Sequence, residues 1–189
     1  MDDVITNDEA LNLIDKSFVN GFRDKRVVMF AGDRERATFM DQALADLIWT
    51  RIEKRVMCIH YNAGCETYYS TCNMQPSTGL YKPVGINPFM RVSKYNIGQS
   101  FRWHVDTMYG TGQDNIGFQT LLLYLNDDFD GGETSFRTYI SGEEDPIIQR
   151  VTPKTGSVLL FDHAQEHQGN IIRNGRKIVL RTEVMFAKM

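Results

Sequence analysis

The sequence predicts a mainly β protein, a sandwich or barrel of short strands with supporting helices packed on its outside. After residue 88 the chain breaks into short runs of strand-forming residues divided by turn signals, the spacing of an all-β sandwich or barrel. Before residue 57 it carries two segments of helical periodicity. Helices that come first and strands that follow imply helices lying against the sheets rather than between their strands. A length of 189 residues fits one domain, large enough to bury roughly 70% of its unfolded surface without disulfides or metal.

Taken in order, Thr6-Asn7-Asp8-Glu9 has the form of a capping box, in which side chains satisfy the first free amides of a helix. Leu11, Ile14 and Phe18 then recur at helical spacing, predicting an amphipathic helix over residues 7–19 with that stripe toward the core. A short strand at Val27–Ala31 precedes a second helix over residues 36–54, with Met40, Leu44, Leu47, Ile48 and Ile52 on one face. From residue 57 to 88 the periodicity fades, and Asn, Gly, Ser, Thr and Pro are common. A long irregular loop is expected there, of a length that often serves as a lid or binding loop. Its Tyr61, Tyr68, Tyr69 and Tyr81 suit substrate contact or plain packing equally. Strands are predicted at Phe89–Tyr95, Phe101–Val105, Phe118–Leu125, Glu133–Tyr139, Ile147–Val151, Ser157–Phe161 and Lys177–Phe186. The dividers include Asn96-Ile97-Gly98, Asp130-Gly131-Gly132, Pro153-Lys154-Thr155-Gly156 and Asn174-Gly175. Residues 1–56 thus read as supporting helices, 57–88 as a loop or lid, and 89–189 as the β core of a single domain, 1–189.

Composition narrows the partners. A formal net charge of -3 offers no basic stripe for a polyanion, which disfavours nucleic acid. The start, Met1-Asp2-Asp3-Val4, lacks the basic and apolar regions of a secretion signal. Apolar runs such as Leu121–Leu125 are too short to cross a bilayer. The chain therefore reads as a soluble cytoplasmic protein with no membrane partner. Cys58, Cys65 and Cys72 are odd in number, and free thiols in a reducing compartment suit them better than disulfides. With His60 among them, their spacing matches no common zinc pattern.

The chemistry-bearing pattern is His104-Val105-Asp106, then His167, then Lys177 ten residues later. Two imidazoles and one carboxylate form the set that holds non-haem Fe(II) on one face and leaves the opposite positions open. Residues i and i+2 of an extended strand project to the same side, so His104 and Asp106 can grip one ion. The third ligand must come from a distant strand. His163 lies four residues before His167, and a helix would put both on one face, so either imidazole can be the distal ligand. Lys177 opens a strand with Val179, Arg181, Glu183 and Met185 on its face. Ile178, Leu180, Thr182, Val184 and Phe186 form the opposite face, which looks packed against the helices.

Six segments, in order, resemble the catalytic core of 2-oxoglutarate- and Fe(II)-dependent dioxygenases of the prolyl 4-hydroxylase-like branch. They are Arg91 to Gly98, His104-Val105-Asp106, Thr120 to Asn126, Gly131 to Phe136, Pro153 to Phe161, and His167-Gln168-Gly169 with Gly175-Arg176-Lys177. The resemblance spans residues 86 to 186 and implies a double-stranded β-helix, the cupin-like jelly roll, with iron at its open end. It implies His104, Asp106 and His167 as iron ligands. His167 is preferred over His163 because a Gly follows at plus two and a Lys at plus ten, as in the family. By the same resemblance Lys177 pairs with the distal carboxylate of 2-oxoglutarate, with Arg181 as the competing cation. Tyr95 and Thr120 match positions whose hydroxyls bond the same co-substrate. Tyr124 can point into the core, and Gly131 and Gly132 serve a tight turn.

The resemblance further implies Fe(II), 2-oxoglutarate and O2 as reactants, ascorbate as reductant, and hydroxylation of an aliphatic C–H with release of succinate and CO2. Asp106 argues against the halogenating variant, which has a small residue there. The substrate it points to is a prolyl residue in a protein or peptide. Yet prolyl hydroxylases often carry a Trp about six residues after the cofactor Lys, where this chain has Glu183. If Glu183 faces the pocket, a charged or hydroxylated substrate gains ground, including a free amino acid or other small molecule. A non-catalytic module sensing iron or a 2-oxo acid is the alternative of another class, and nucleobase demethylation is more distant still.

Overall fold

The first helix, α1 (Asn7–Val19), is capped as the sequence predicts: the Thr6 hydroxyl accepts from the Glu9 amide, and the Glu9 carboxylate accepts from the Thr6 amide. A computed structural model describes residues 1–24, 34–63, 76–110, 115–141 and 145–189. The buried side of α1 is Ala10, Leu13 and Ser17, with Leu11 and Phe18 exposed, so the helix is turned about one position from the expected stripe. Small Ala10 and Ser17 let it lie close to the sheet. The Ser17 hydroxyl is hidden by donating to the Leu13 carbonyl at 2.7 Å.

After β1 (Arg23–Asp24), the segment read as one long helix divides into a strand, β2 (Glu35–Met40), and a shorter helix, α2 (Gln42–Ile52). The divider is Asp41, whose carboxylate accepts from the Leu44 amide as an N-cap. Leu44, Ile48 and Ile52 are buried as expected, whereas Met40 is 66% exposed because it ends the strand on the row opposite buried Ala37 and Phe39. The predicted strand at Val27–Ala31 lies outside the described residues.

The expected irregular loop supplies two strands, β3 (Ile59–Tyr61) and β4 (Gly79–Ile86). Pro83 and Gly85 disguise β4 in the sequence. They are accommodated because Gly85 pairs with Met185 and Pro83 with Phe186, with a bulge between them. Cys65, Tyr68, Tyr69 and Cys72 lie outside the described residues, and Cys58 is a free, exposed thiol.

Eleven described strands remain, seven of them where the sequence predicts a strand and four short ones, at 109–110, 130–131, 167–169 and 172–174, where it does not. They are β5 (Phe89–Tyr95), β6 (Phe101–His104), β7 (Tyr109–Gly110), β8 (Asn115–Tyr124), β9 (Asp130–Gly131), β10 (Thr134–Thr138), β11 (Ile147–Val151), β12 (Val158–Asp162), β13 (His167–Gly169), β14 (Ile172–Asn174) and β15 (Lys177–Lys188). Antiparallel pairing collects them into a large sheet, in which β15 is the spine, a smaller sheet ordered β11-β10-β13-β6, and a separate pair, β14-β9. β15 pairs β5 with its first half and β4 with its second, while β8 runs along its other side. The two sheets face each other as a jelly roll and touch where the Tyr124 hydroxyl meets the Thr134 hydroxyl at 2.7 Å and Phe161 meets Phe136 edge-on.

The main core lies on the outer face of the large sheet. There Ile178, Leu180, Val184 and Phe186 of β15 pack with Leu121 and Leu123 of β8 and with Leu44, Ile48 and Ile52 of α2. This is the apolar row that the alternation in β15 predicts. Its other row faces between the sheets. Among the described residues no helix is long and apolar enough to cross a membrane.

Candidate active site

His104 ends β6 and His167 begins β13, and the two are direct cross-strand partners in the antiparallel ladder. That register alone brings the imidazoles together, with ring centroids 4.1 Å apart. Asp106, two residues past His104, is held extended by its amide, which donates to the His163 carbonyl at 2.9 Å. Its carboxylate then lies between the imidazoles, 3.7 Å from His104 Nε2 and 3.8 Å from His167 Nε2.

The tautomers are fixed by the backbone. His104 Nδ1 donates to the Arg102 carbonyl at 2.7 Å, and His167 Nδ1 donates to the Gln165 carbonyl at 2.9 Å. Both Nε2 lone pairs are therefore turned inward, and the buried His104 Nε2 has no hydrogen-bond partner. Outer hydrogen bonds that orient ligand side chains are a regular feature of metal sites. Metal–nitrogen and metal–oxygen bonds of about 2.1 Å place neighbouring donors roughly 3–3.5 Å apart, so the three side chains need close only slightly to seat a cation. The set fits a divalent ion that accepts both nitrogen and oxygen.

Burial pushes the His104 imidazole down to about 4, and the adjacent His167 adds to the effect. Burial also lowers His167. Both rings are neutral at pH 7, the form that binds metal. Burial would raise the Asp106 carboxyl, but Arg181 and the two imidazoles outweigh it and hold the acid well below the usual carboxylate range. Arg181 Nη2 lies 3.0 Å from Asp106 Oδ1, and the Thr120 hydroxyl donates to Oδ2. Phe101 and Phe161 lie against His104 and His167 and keep the cluster dry.

His163 does not join this cluster. No helix links it to His167, since β12 ends at Asp162 and a turn leads into β13. Its ring is fully buried, with neither nitrogen hydrogen-bonded. Burial pushes it down to about 4.

The pocket between the sheets takes in His104, Asp106 and His167 together with Arg36, Tyr95, Lys177 and Arg181. Lys177 is the cross-strand partner of Tyr95, and its ammonium donates to the Gly132 carbonyl at 2.6 Å while lying 5.4 Å over the Tyr124 ring. Burial pushes this amine down to about 8, with Glu133 opposing the shift. Gly132 has a φ of 67°, and a Cβ there would fall 2.6 Å from Ile172 Cδ1 and 3.3 Å from Lys177 Cδ. The glycine therefore serves both the turn and the close approach of the lysine.

Thr120 does not stand where it was expected. Its side chain is fully buried behind Asp106, and its hydroxyl is given to that carboxylate instead of the pocket. Glu183 does not reach the pocket either. Asn87 donates to it at 2.7 Å and Arg91 pairs with it at 2.7 Å. The charges that enter the pocket from this row of β15 are Lys177 and Arg181. The sequence reading passed over Arg34 and Arg36 because the segment looked helical. The alternation Arg34, Arg36, Thr38 was the signal for a strand with a polar inner row.

Residues 90–182 match the model of the 2OG-Fe(II) oxygenase superfamily. The chain belongs to that superfamily. As a 2OG-Fe(II) oxygenase it is an oxidoreductase, a dioxygenase whose family draws on Fe(II), 2-oxoglutarate and O2. Solved prolyl hydroxylases share its fold. A viral collagen prolyl hydroxylase from Paramecium bursaria Chlorella virus-1, in complex with 2-oxoglutarate, is 18% identical, with 99% of this chain and 94% of that one covered at a TM-score of 0.57. A prolyl-4-hydroxylase of Pseudomonas putida is 14% identical, with 100% and 91% covered at a TM-score of 0.58. A prolyl hydroxylase of Trichoplax adhaerens, in complex with a hypoxia inducible factor oxygen degradation domain peptide, is 15% identical, with 97% and 81% covered at a TM-score of 0.57. No curated protein matches the chain in sequence.

Proposed function

We propose that this oxygenase hydroxylates an aliphatic C–H, that of a prolyl residue in a protein or peptide, with His104, Asp106 and His167 as its iron ligands. The observation that carries the reading is the convergence of two inward lone pairs and one ionised carboxylate in a dry pocket. When bound, Fe(II) with 2-oxoglutarate and O2 supplies the oxidising power that puts one oxygen atom into the substrate and the other into succinate, with loss of CO2.

The chain's own residues bind, orient and exclude water. Lys177 is the partner for the distal carboxylate of 2-oxoglutarate, being a buried cation whose only acceptor among the described residues is a neutral carbonyl. Arg181 is four residues further along the strand, about 13 Å away, and is engaged with Asp106 at the metal end. Tyr95 stands beside Lys177 on the pocket wall, placed to donate its hydroxyl to the same co-substrate. Thr120 and Arg181 hold the two oxygens of Asp106 in position. Ascorbate as reductant and a cytoplasmic setting complete the reading, the latter supported by the odd set of cysteines. Unpartnered guanidinium nitrogens beside the pocket favour a second reading, hydroxylation of a free amino acid or other small molecule.

An anaerobic visible spectrum tests the site without a known substrate. Adding 2-oxoglutarate to the Fe(II) protein is expected to produce a weak metal-to-ligand charge-transfer band, lost in His104→Ala and His167→Ala and kept in His163→Ala. Folded, iron-loaded protein that gives no band would remove the assignment.

A further inference from the structure

Two arginines meet the pocket at the start of β2, Arg36 within the strand and Arg34 just before it. Arg36 lies on its wall, opposite Ser93 in the ladder. Arg34, one strand repeat earlier, is 4% exposed, with its guanidinium 4.1 Å over the ring of Phe101, another residue of the pocket wall. Alternate residues of a strand share a face, so the two cations stand side by side.

Buried charges in proteins are ordinarily paired and hydrogen-bonded. Here Arg34 Nε and Nη1 and Arg36 Nε are buried with no hydrogen-bond partner among the described residues. The acids within reach are committed elsewhere. Glu35, between the two arginines in sequence, is turned away to Lys94 at 2.7 Å and Asn96 at 3.2 Å. Glu183 is taken by Arg91 and Asn87, and Asp106 by Arg181 and Thr120. The other cations felt by Arg36 are Arg34, Arg181 and Arg91, so repulsion adds to desolvation.

Iron and co-substrate do not answer these charges. The two positive charges of Fe(II) and the two negative charges of 2-oxoglutarate cancel, and Lys177 accounts for the distal carboxylate. A further anion is missing. A planar guanidinium held by stacking on an aromatic ring presents its N–H edge to a carboxylate in plane, which suits paired hydrogen bonds.

We propose that Arg34 and Arg36 bind a carboxylate of the substrate itself, so that the carbon offered for hydroxylation belongs to an acid. This rests on the assignment of the three ligands and Lys177 made above. Two sources share the chemistry: the α-carboxylate of a free amino acid and an acidic side chain near the target residue of a peptide.

The test uses the full chain with Zn(II) in place of iron, saturated with 2-oxoglutarate and carrying 15N arginine. Acetate and acetamide are titrated in turn while the Nε–H resonances of Arg34 and Arg36 are followed. Acetate is expected to shift both saturably and acetamide at least tenfold more weakly. Arg36→Gln should weaken acetate binding at least fivefold and leave the dissociation constant for 2-oxoglutarate within twofold. The wild-type titration stands even if that variant fails to fold. No saturable shift with acetate overturns the proposal. So does a shift that disappears once 2-oxoglutarate is added, because the arginines would then serve the co-substrate. Displacement of acetate by L-proline assigns the free acid, and displacement by acetyl-glutamyl-prolinamide assigns the peptide side chain; either supports the proposal. Loss of the Fe(II)–2-oxoglutarate absorption band would sink the ligand assignment, while the acetate titration of metal-free protein would still report on the arginines.

Discussion

At His167 the Nδ1 proton goes to the Gln165 carbonyl and the lone pair faces Asp106, whereas at His163 neither nitrogen is hydrogen-bonded. The two are indistinguishable by residue type, and only the turn between β12 and β13 separates their roles. His163→Leu is expected to keep the charge-transfer band and to raise stability below pH 6, because a buried imidazole that resists protonation is removed; urea unfolding at pH 5 and 7.5 measures it. Lys177 titrates in the opposite sense to an ion-paired lysine. Burial brings it down to about 8 from the ordinary 10.5 of a lysine. Between these the unfolded chain holds a proton that the folded chain has released, so the stability of the ligand-free protein rises with pH across that window. Binding of 2-oxoglutarate gives the ammonium a partner. Above about pH 8 binding should therefore take up a proton and weaken as pH rises, as calorimetry in two buffers of different ionisation enthalpy would show. Lys177→Met is expected to weaken 2-oxoglutarate at least tenfold, since a charge-assisted hydrogen bond contributes about 1.5–3 kcal/mol, while raising the melting temperature of the free protein. The clustering of His104, Asp106 and His167 and the place of Lys177 at the head of a strand were legible because their spacing is short or tied to a strand. Thr120 was not, because a hydroxyl's partner depends on the rotamer and on what lies behind it.

Among the elements, periodicity located α1 and seven of the eleven described strands after residue 88, but not the short β7, β9, β13 and β14 nor the boundary between β2 and α2. Thr38, Phe39 and Met40 fit a strand as well as a helix, and only the Asp41 cap decides. Asp41→Ala should cost about 1 kcal/mol and lower the melting temperature by roughly 2–4 °C, with somewhat more from the lost Lys16 pair; thermal unfolding by circular dichroism reads it. Gly156 is the stronger joint. Its φ is 78°, its carbonyl accepts from the amides of Val4 and Ile5, and a Cβ there would stand 2.3 Å from the Ile5 carbonyl oxygen. Gly156→Ala is expected to lift the N-terminal segment off the sheet and to destabilise far more than Asp41→Ala. An equal or smaller effect in the same unfolding experiment would contradict this. Strand pairing beyond neighbours was not written in any local pattern, and so β4, interrupted by Pro83 and Gly85, passed for a loop.

For the molecule as a whole, acid is the sensitive variable. His104 and His163 are each lowered from 6.5 to about 4, and His167 is lowered too, with burial the main cause. As pH falls from 6.5 toward 4, the unfolded chain binds protons that the folded chain refuses, so stability drops across that window. For His104 and His163 the loss is up to about 3 kcal/mol each. Asp106, held low, withdraws its own contribution only below its ordinary range. Denaturation midpoints should fall steadily from pH 7 to 4.5, and Zn(II) should raise them more at pH 7 than at pH 5, since protons compete with the metal. A midpoint flat in pH would mean the three imidazoles are solvated. The jelly roll itself was readable in sequence because one row of β15 is apolar and the other polar. That division has a consequence for descent. The core's apolar contacts lie on the outer row of β15 and the pocket's charges on the inner one, so the inner row can vary while the core is inherited intact. Arg181, Glu183 and Arg91 are linked through their charges and would have to be exchanged as a set, which makes their joint replacement the mark of a relative that has changed its substrate.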